Sequence, residues 1–272
     1  MPLPDAIHTV TFDCWSTLIY EPPSRDDSVS AAVSRARRLA RVLNVAEERA
    51  HAAFAAAWRL HQQAWHRRVV FAGPHMLQHA LQELGLQLAA AEQAQLLTEM
   101  EDELLTREVQ MVAGARYILS ALRERGIRTA LICDTGFTPG RVVRKALAKH
   151  GLLSLLEHTV FSEEVGVPKP HERAFAAALD GLGVPARGAV HVGDLRRSDV
   201  AGARAAGMAS VRFRGHHDDA DPKPGRNAGV LDCVAAGCDP VCERPEADVV
   251  VDTYPALLDL LAPCLRPLTA AK

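Results

Sequence analysis

An α/β fold with a doubly wound parallel sheet is predicted by three observations. From Gly114 onward, short apolar runs alternate with helix-length amphipathic stretches. An earlier apolar run, Ile7–Phe12, is cut off from that series by a long block of helix formers. Polar residues follow the apolar runs directly, at Asp13, at Cys133 to Thr135 and at Asp194. The carboxyl ends of the strands are where an open parallel sheet binds ligands.

Each element follows from its local pattern. Ile7–Phe12 is apolar and β-branched and reads as the first strand. Glu21, Pro22, Pro23 and Ser24 make a linker. From Val29 to Val109 alanine, arginine, leucine, glutamate and glutamine dominate, with breaks at Gly73–Pro74 and Gly85, which predicts four helices and no strand. Phe54, Trp58, Leu60, Trp65 and Phe71 are expected to form mostly the core of that bundle. Helices Ala115–Arg125, Arg141–His150, Glu172–Leu182 and Asp199–Ala206 then alternate with strands Arg128–Cys133, Thr159–Phe161, Ala189–Val192 and Ser210–Phe213. Asp248–Val251 closes the series. Short connections and right-handed crossovers put helices on both faces of one sheet. The stretch 215–246, rich in proline, glycine, aspartate and cysteine, breaks this rhythm and reads as a long surface excursion. The expected division is a core of residues 1–21 and 111–272 and an all-helical unit of residues 22–110.

Composition narrows the class. The chain has 272 residues, 48% of them hydrophobic, enough for a substantial core plus a smaller unit. A net charge of −2 supplies no basic field for nucleic acid. Arg35, Arg37, Arg38 and Arg41 cluster along one predicted helix and are read as a solvated face. No apolar run reaches the roughly 18 residues of a membrane span, and no secretory leader is visible, so a cytoplasmic protein is expected. The six cysteines are scattered and expected to be reduced thiols. Cys233, Cys238 and Cys242, with His216 and His217 upstream, do not match the paired-cysteine zinc spacing and are read as free thiols and histidines of the excursion.

The residues at the strand ends carry the chemistry. Asp13, the Cys133–Asp134–Thr135 cluster, Lys169, Asp194 and Asp199 come from four loops and face one edge of the predicted sheet. Neighbouring carboxylates repel one another unless a cation joins them. Hard oxygen donors suit Mg²⁺. A metal with a lysine would neutralise a phosphate dianion and leave a carboxylate oxygen to attack it. Backbone N–H groups at the turn Asp13–Ser16 would cradle the phosphate oxygens.

The stretches FDCWSTL (Phe12–Leu18), LICDTG (Leu131–Gly136), VGVPKP (Val165–Pro170) and GDLRRSDVAGARAAGM (Gly193–Met208) resemble the four motifs of the haloacid dehalogenase superfamily. The resemblance implies a Rossmann-like core whose active site is covered by a helical cap, here residues 22–110. It implies that Asp13 is the nucleophile and that Lys169 steadies its charge and that of the substrate. It further implies that Asp13, Asp194, Asp199 and the backbone carbonyl of Trp15 hold Mg²⁺. Trp15, Ser16, Cys133, Asp134, Thr135 and Gly136 would then face the substrate.

Two departures stand out against that family. Trp15 occupies the position where its phosphatases carry a second aspartate, which protonates the leaving group. Losing such help typically costs about 10²–10⁴ in rate. Cys133 stands where a serine or threonine is usual, and a thiol is a weak donor, so Thr135 or the Gly136 amide is expected to take over.

The expected function is an Mg²⁺-dependent phosphatase of a small phosphorylated metabolite, working through an aspartyl-phosphate on Asp13. His61, His66 and His75 are candidate acids but are read as surface histidines. A carbon–halogen hydrolase is the alternative, since a halide leaves without a proton and that subgroup also has an aromatic residue after the nucleophile. A third reading is a binding or regulatory protein that lost turnover. A phosphonate-cleaving enzyme needs a cap lysine, and residues 22–110 contain none. The partner is a small molecule, with neither nucleic acid nor membrane, and a homodimer is left open.

Overall fold

A computed structural model describes residues 3–22, 30–219 and 246–268. The elements run β1 Thr9–Phe12, β2 Ile19–Tyr20, α1 Ala31–Leu43, α2 Glu47–His66, α3 Gly73–Leu84 and α4 Ala90–Glu101. They continue with β3 Gln110–Met111, α5 Ala115–Glu124, β4 Arg128–Cys133, α6 Gly140–Lys149, β5 His158–Phe161 and α7 Ser162–Val165. The series ends with α8 Glu172–Leu182, β6 Ala189–Gly193, α9 Ala201–Ala205, β7 Ala209–Phe213, β8 Val249–Val251 and α10 Tyr254–Leu261.

Six strands form one parallel sheet in the order β5-β4-β1-β6-β7-β8. Every residue of β1 is buried, as a central strand covered on both faces requires. One face is packed by Val10, Phe12 and Leu131 with residues of α5, α6 and α10. The other packs Ala130, Ile132 and Val160 against Phe175 of α8. Burying a phenylalanine such as Phe12 or Phe175 is worth about 1.5–3 kcal/mol.

The register aligns the strand ends. Phe12 lies opposite Leu131 on one side and Val192 on the other. The loops after β1, β4 and β6 therefore start level with one another at one edge. The chain runs outward from β1 through β4 to β5, then returns to β6 on the far side of β1. That reversal is the topological switch point at which open α/β sheets bind ligands.

The chain leaves the sheet at β2 and re-enters at β3, and these two short strands pair antiparallel, Ile19 with Met111 and Tyr20 with Gln110. Between them α1–α4 close their own apolar core around Leu39, Phe54, Met76, Leu77 and Met100. Ser30 caps α1 by accepting from the Val33 amide. The expected breaks bound α3, which begins at Gly73–Pro74 and ends at Gly85 in the left-handed conformation.

Four expectations need correction. The β2–β3 pair escapes a pattern search because two-residue strands carry no periodicity. The helix expected over Asp199–Ala206 starts instead as a π turn over Arg196–Val200, followed by α9. Arg35 is buried, not solvated, because it lies one turn before buried Leu39 on the inner face of α1. Among the aromatic residues assigned to the bundle core, Phe54 is buried there, whereas Trp58 is 39% exposed and faces a cleft. Residues 220–245, including Cys233, Cys238 and Cys242, lie outside the described residues. Cys14, Cys133 and Cys264 are free thiols. No described helix is long and apolar enough to cross a membrane.

Candidate active site

Asp13 emerges from β1 with its amide tied to the Val192 carbonyl at 2.8 Å, so the central strand delivers its carboxylate to the sheet edge. The Lys169 ammonium donates to Asp13 Oδ1 at 2.5 Å and to Asp199 Oδ1 at 2.6 Å. Thr17 donates its hydroxyl to Asp13 Oδ2 at 3.2 Å. Oxygens of Asp13, Asp194 and Asp199 lie within 4.8 Å of one another. All four of these charged residues are buried. They line a cavity of about 350 Å³ shared with Trp15, Ser16 and His217.

The local backbone explains the placement. Ser16 sits at φ 61°, a left-handed conformation uncommon outside glycine, which turns the chain sharply after Asp13. The π turn carries Asp199 back under Gly193, where an added Cβ would come 2.3 Å from the Asp199 Cγ. Only glycine allows that approach, and π turns are frequent at functional sites.

Electrostatics follow from burial and from one shared cation. Burial is the largest influence on Asp13 and pushes its carboxyl up to about 8; Lys169 pulls it down, and the Asp199 and Asp194 charges push it up. Burial would raise Asp199 as well, but Lys169 and His191 hold it below its usual range. Burial raises Asp194, and His217 opposes the rise. Lys169 loses solvation, yet Asp13 and Asp199 keep it firmly protonated. Three buried carboxylates against one lysine leave an excess of negative charge, and hard oxygen donors in that number fit a divalent cation such as Mg²⁺.

The residues expected to face a substrate divide. Asp134 bridges two parts of the chain, with Oδ1 accepting from the Lys169 amide at 2.9 Å and Oδ2 from Trp65 Nε1 at 2.7 Å. Thr135 and Gly136 line a second cleft of about 500 Å³ between the sheet edge and α1–α2. Thr135 is held by Ser162 and Glu163. Trp15 borders both cavities, and Ser16 the smaller one. Cys133 does not join them. Its side chain is buried in the core beside Cys14 and lines neither cavity, because alternation along β4 turns it inward.

Several residues at the site escaped the sequence reading. His191 donates from Nε2 to Asp199 Oδ1 at 3.1 Å, while its Nδ1 accepts from the Thr11 hydroxyl at 2.8 Å. Burial keeps that imidazole below its ordinary value. Its polar place in an otherwise apolar strand was the available signal. His217 donates from Nδ1 to Asp194 Oδ2 at 2.7 Å, while His216 stacks on Tyr20. Among the described residues these two serve the site and the core edge. Trp65 was assigned to the bundle core, and His61, named as a candidate acid, was read as a surface residue. Trp65 lies under the Arg197 guanidinium, 3.3 Å from its ring centre. His61, expected at the surface, lines the larger cleft, and burial lowers its imidazole below the ordinary value despite the Phe71 carbonyl.

Comparison with known proteins converges on one family. The model for haloacid dehalogenase-like hydrolases matches residues 7–207. A glyceraldehyde 3-phosphate phosphatase of Pyrococcus abyssi is 39% identical over 103 residues, 38% of this chain and 42% of that protein. A phosphoserine phosphatase of Thermus thermophilus is 34% identical over 170 residues, 61% of this chain and 66% of that protein. The chain thus spans less than half of the length of the first of these relatives. A solved 2-haloacid dehalogenase from Pseudomonas syringae pv. Tomato superposes with a TM-score of 0.60 at 24% identity, covering 94% of this chain and 98% of that one. At that identity the likeness speaks for the fold alone.

Proposed function

This chain belongs to the haloacid dehalogenase-like hydrolases, and on that premise we propose that it is an Mg²⁺-dependent phosphatase of a small phosphorylated metabolite. The observation that carries the reading is the gathering of Asp13, Lys169, Asp194 and Asp199 at the switch point of the sheet. The phosphatases among its relatives support the same class of reaction. Residues 1–21 and 111–272 would act as the catalytic core and residues 22–110 as its cap.

Asp13, Asp194, Asp199 and the Trp15 carbonyl would hold Mg²⁺, which when bound supplies positive charge beside the phosphate oxygens. Asp13 attacks phosphorus with a carboxylate oxygen, and the bond from phosphorus to the leaving oxygen breaks with its electron pair going to that oxygen. Water then adds to phosphorus, the aspartyl–phosphate bond breaks, and Asp13 returns to a carboxylate as inorganic phosphate departs. Lys169 balances the charge of Asp13 and of the phosphoryl group throughout. Thr17 orients the attacking carboxylate from its far oxygen. Trp15 carries no acid, so the leaving group departs without a proton from that position.

Trp15 also favours the second reading, a carbon–halogen hydrolase, while the three converging carboxylates oppose it. The experiment offers an aryl phosphate with and without Mg²⁺, and a 2-haloacid in chelator. Metal-dependent phosphate release that is lost in Asp13→Asn supports the phosphatase. Halide release in chelator would replace it with the dehalogenase. Silence in both, with Mg²⁺ bound, would leave a binding protein.

A further inference from the structure

We infer that the substrate is a phosphate monoester of a phenol-type hydroxyl whose ring lies in the cleft against Trp58 and presents a hydrogen-bond donor to His61 Nε2. The inference rests on the phosphatase reading and names its leaving group.

Two independent observations lead there. The first is chemical. With Trp15 at the acid position, the leaving oxygen departs as an anion. An alkyl alcohol does so poorly. A phenolic hydroxyl, with a pKa of about 10, is stable enough as the anion to leave unaided, and an absent general acid, ordinarily worth about 10²–10⁴, then costs little.

The second observation is geometric. The cleft of about 500 Å³ opens from the Asp13 cavity across Trp15, Trp65 and Asp134, which border both. A phosphate ester with its phosphorus at Asp13 would direct its leaving group into this space. Its volume suits a ring-sized ligand, within the roughly 300–1,000 Å³ of small-molecule sites. Its wall is aromatic, with Trp58 packed 5.0 Å from His61 and Phe54 5.4 Å from Phe137, ring centre to ring centre. Trp58 is 39% exposed, a large ring left open towards the cleft. Flat rings stack on such walls, whereas an open-chain polyol gains little.

His61 adds direction. Its Nδ1 donates to the Phe71 carbonyl at 2.8 Å, which fixes the tautomer and leaves Nε2 an acceptor. That nitrogen reaches Gly136, where an added Cβ would lie 3.1 Å from it and 3.4 Å from the Trp58 ring. Acceptor and ring thus meet at one spot beside the second-motif loop. In the transfer step the phosphorus–oxygen bond breaks, the electron pair goes to the phenolic oxygen, and the phenolate takes its proton from water.

The test measures kcat/KM of the Mg²⁺-loaded protein on three aryl phosphate esters and one acyl phosphate. Phenyl phosphate carries the ring, and acetyl phosphate has an acidic leaving group and no ring. 4-Hydroxyphenyl and 4-methoxyphenyl phosphate differ in a donor. Trp58→Ala is expected to shrink the phenyl-to-acetyl ratio roughly tenfold, with Trp58→Phe keeping most of it. The hydroxyl ester is expected to beat the methoxy ester by about fivefold, a preference lost in His61→Phe. Calorimetry on Asp13→Asn gives a readout without turnover, in which phenyl phosphate binds more tightly than inorganic phosphate and Trp58→Ala removes the gain. A phenyl-to-acetyl ratio untouched by Trp58→Ala would overturn the aryl assignment alone. No metal-dependent turnover of acetyl phosphate or of any of the three esters would sink the phosphatase reading and this inference with it.

Discussion

The sheet edge and the cleft beside it are built on opposite principles. At the edge, Asp199 alone meets the Lys169 ammonium, the His191 imidazole, the Leu195 amide and the Ser198 hydroxyl. In the cleft, His61 is anchored by one hydrogen bond and Trp58 by packing. A buried charge is costly unless each of its lone pairs is met, so the polar cluster admits one geometry. Apolar packing is not directional and tolerates exchange of similar shapes. On the proposed reading the difference separates the two tasks: the reaction falls to a rigid strand end, and the choice of substrate to helices that can vary without disturbing it.

The sharpest way to break that contrast is Asp13→Asn. The amide keeps the shape of the cluster and lacks the nucleophile, so turnover is expected to fall by about 10⁴ or more while the fold persists. Phosphate release and a thermal melt on the same sample check both halves. Activity kept within tenfold would remove Asp13 from the chemistry.

Lys169→Met should damage stability as well. It removes the cation that Asp13 and Asp199 share and leaves the Asp199 charge buried without it, and the expected cost is about 3–5 kcal/mol by urea denaturation. Part of that loss should return when Mg²⁺ is added. A change no larger than a surface substitution would mean that the cluster is not held as tightly as its contacts imply.

Mg²⁺ itself is the next lever. At a hundredfold excess over its dissociation constant it should stabilise the native protein by about 2.7 kcal/mol. In Asp194→Asn that increment should shrink, because one of the three converging carboxylates is gone. Equal stabilisation of both proteins would place the ion elsewhere.

The smallest effect belongs to the seam between the two regions. Trp65→Phe keeps an aromatic ring under Arg197 but removes the hydrogen bond to Asp134. The expected loss is about 1 kcal/mol, read as a several-fold rise in KM with kcat little changed. A larger fall in kcat than in stability would mean that this bond positions the reacting groups.

Legibility followed the range of the interactions. The strands, the helices and the loops that carry Asp13, Lys169, Asp194 and Asp199 could be read because hydrophobic period and strand-end position are local properties. His191 was passed over because a histidine inside an apolar run looks like filler until its partner Asp199 is known. Cys133 was placed at the substrate because it stands at the strand end where the family usually carries serine or threonine, yet pleat alternation turns it into the core. Arg35 was read as solvated from its neighbours, although its own helical face made it buried, with Phe137 beneath its guanidinium. Trp58, His61 and Trp65 read as bundle or surface residues because nothing in a helix spells which face meets another unit.

From the sequence alone came the α/β order, the place of most elements and the identity of the charged residues at the strand ends. These rest on periodicity and turn chemistry, which act within a few residues. Tertiary structure decided which carboxylates share the lysine, which rings line the cleft and which histidine nitrogen is left to accept. Those outcomes depend on parallel register and on the docking of α1–α2 over the sheet edge, contacts between residues far apart in the chain that no local pattern encodes.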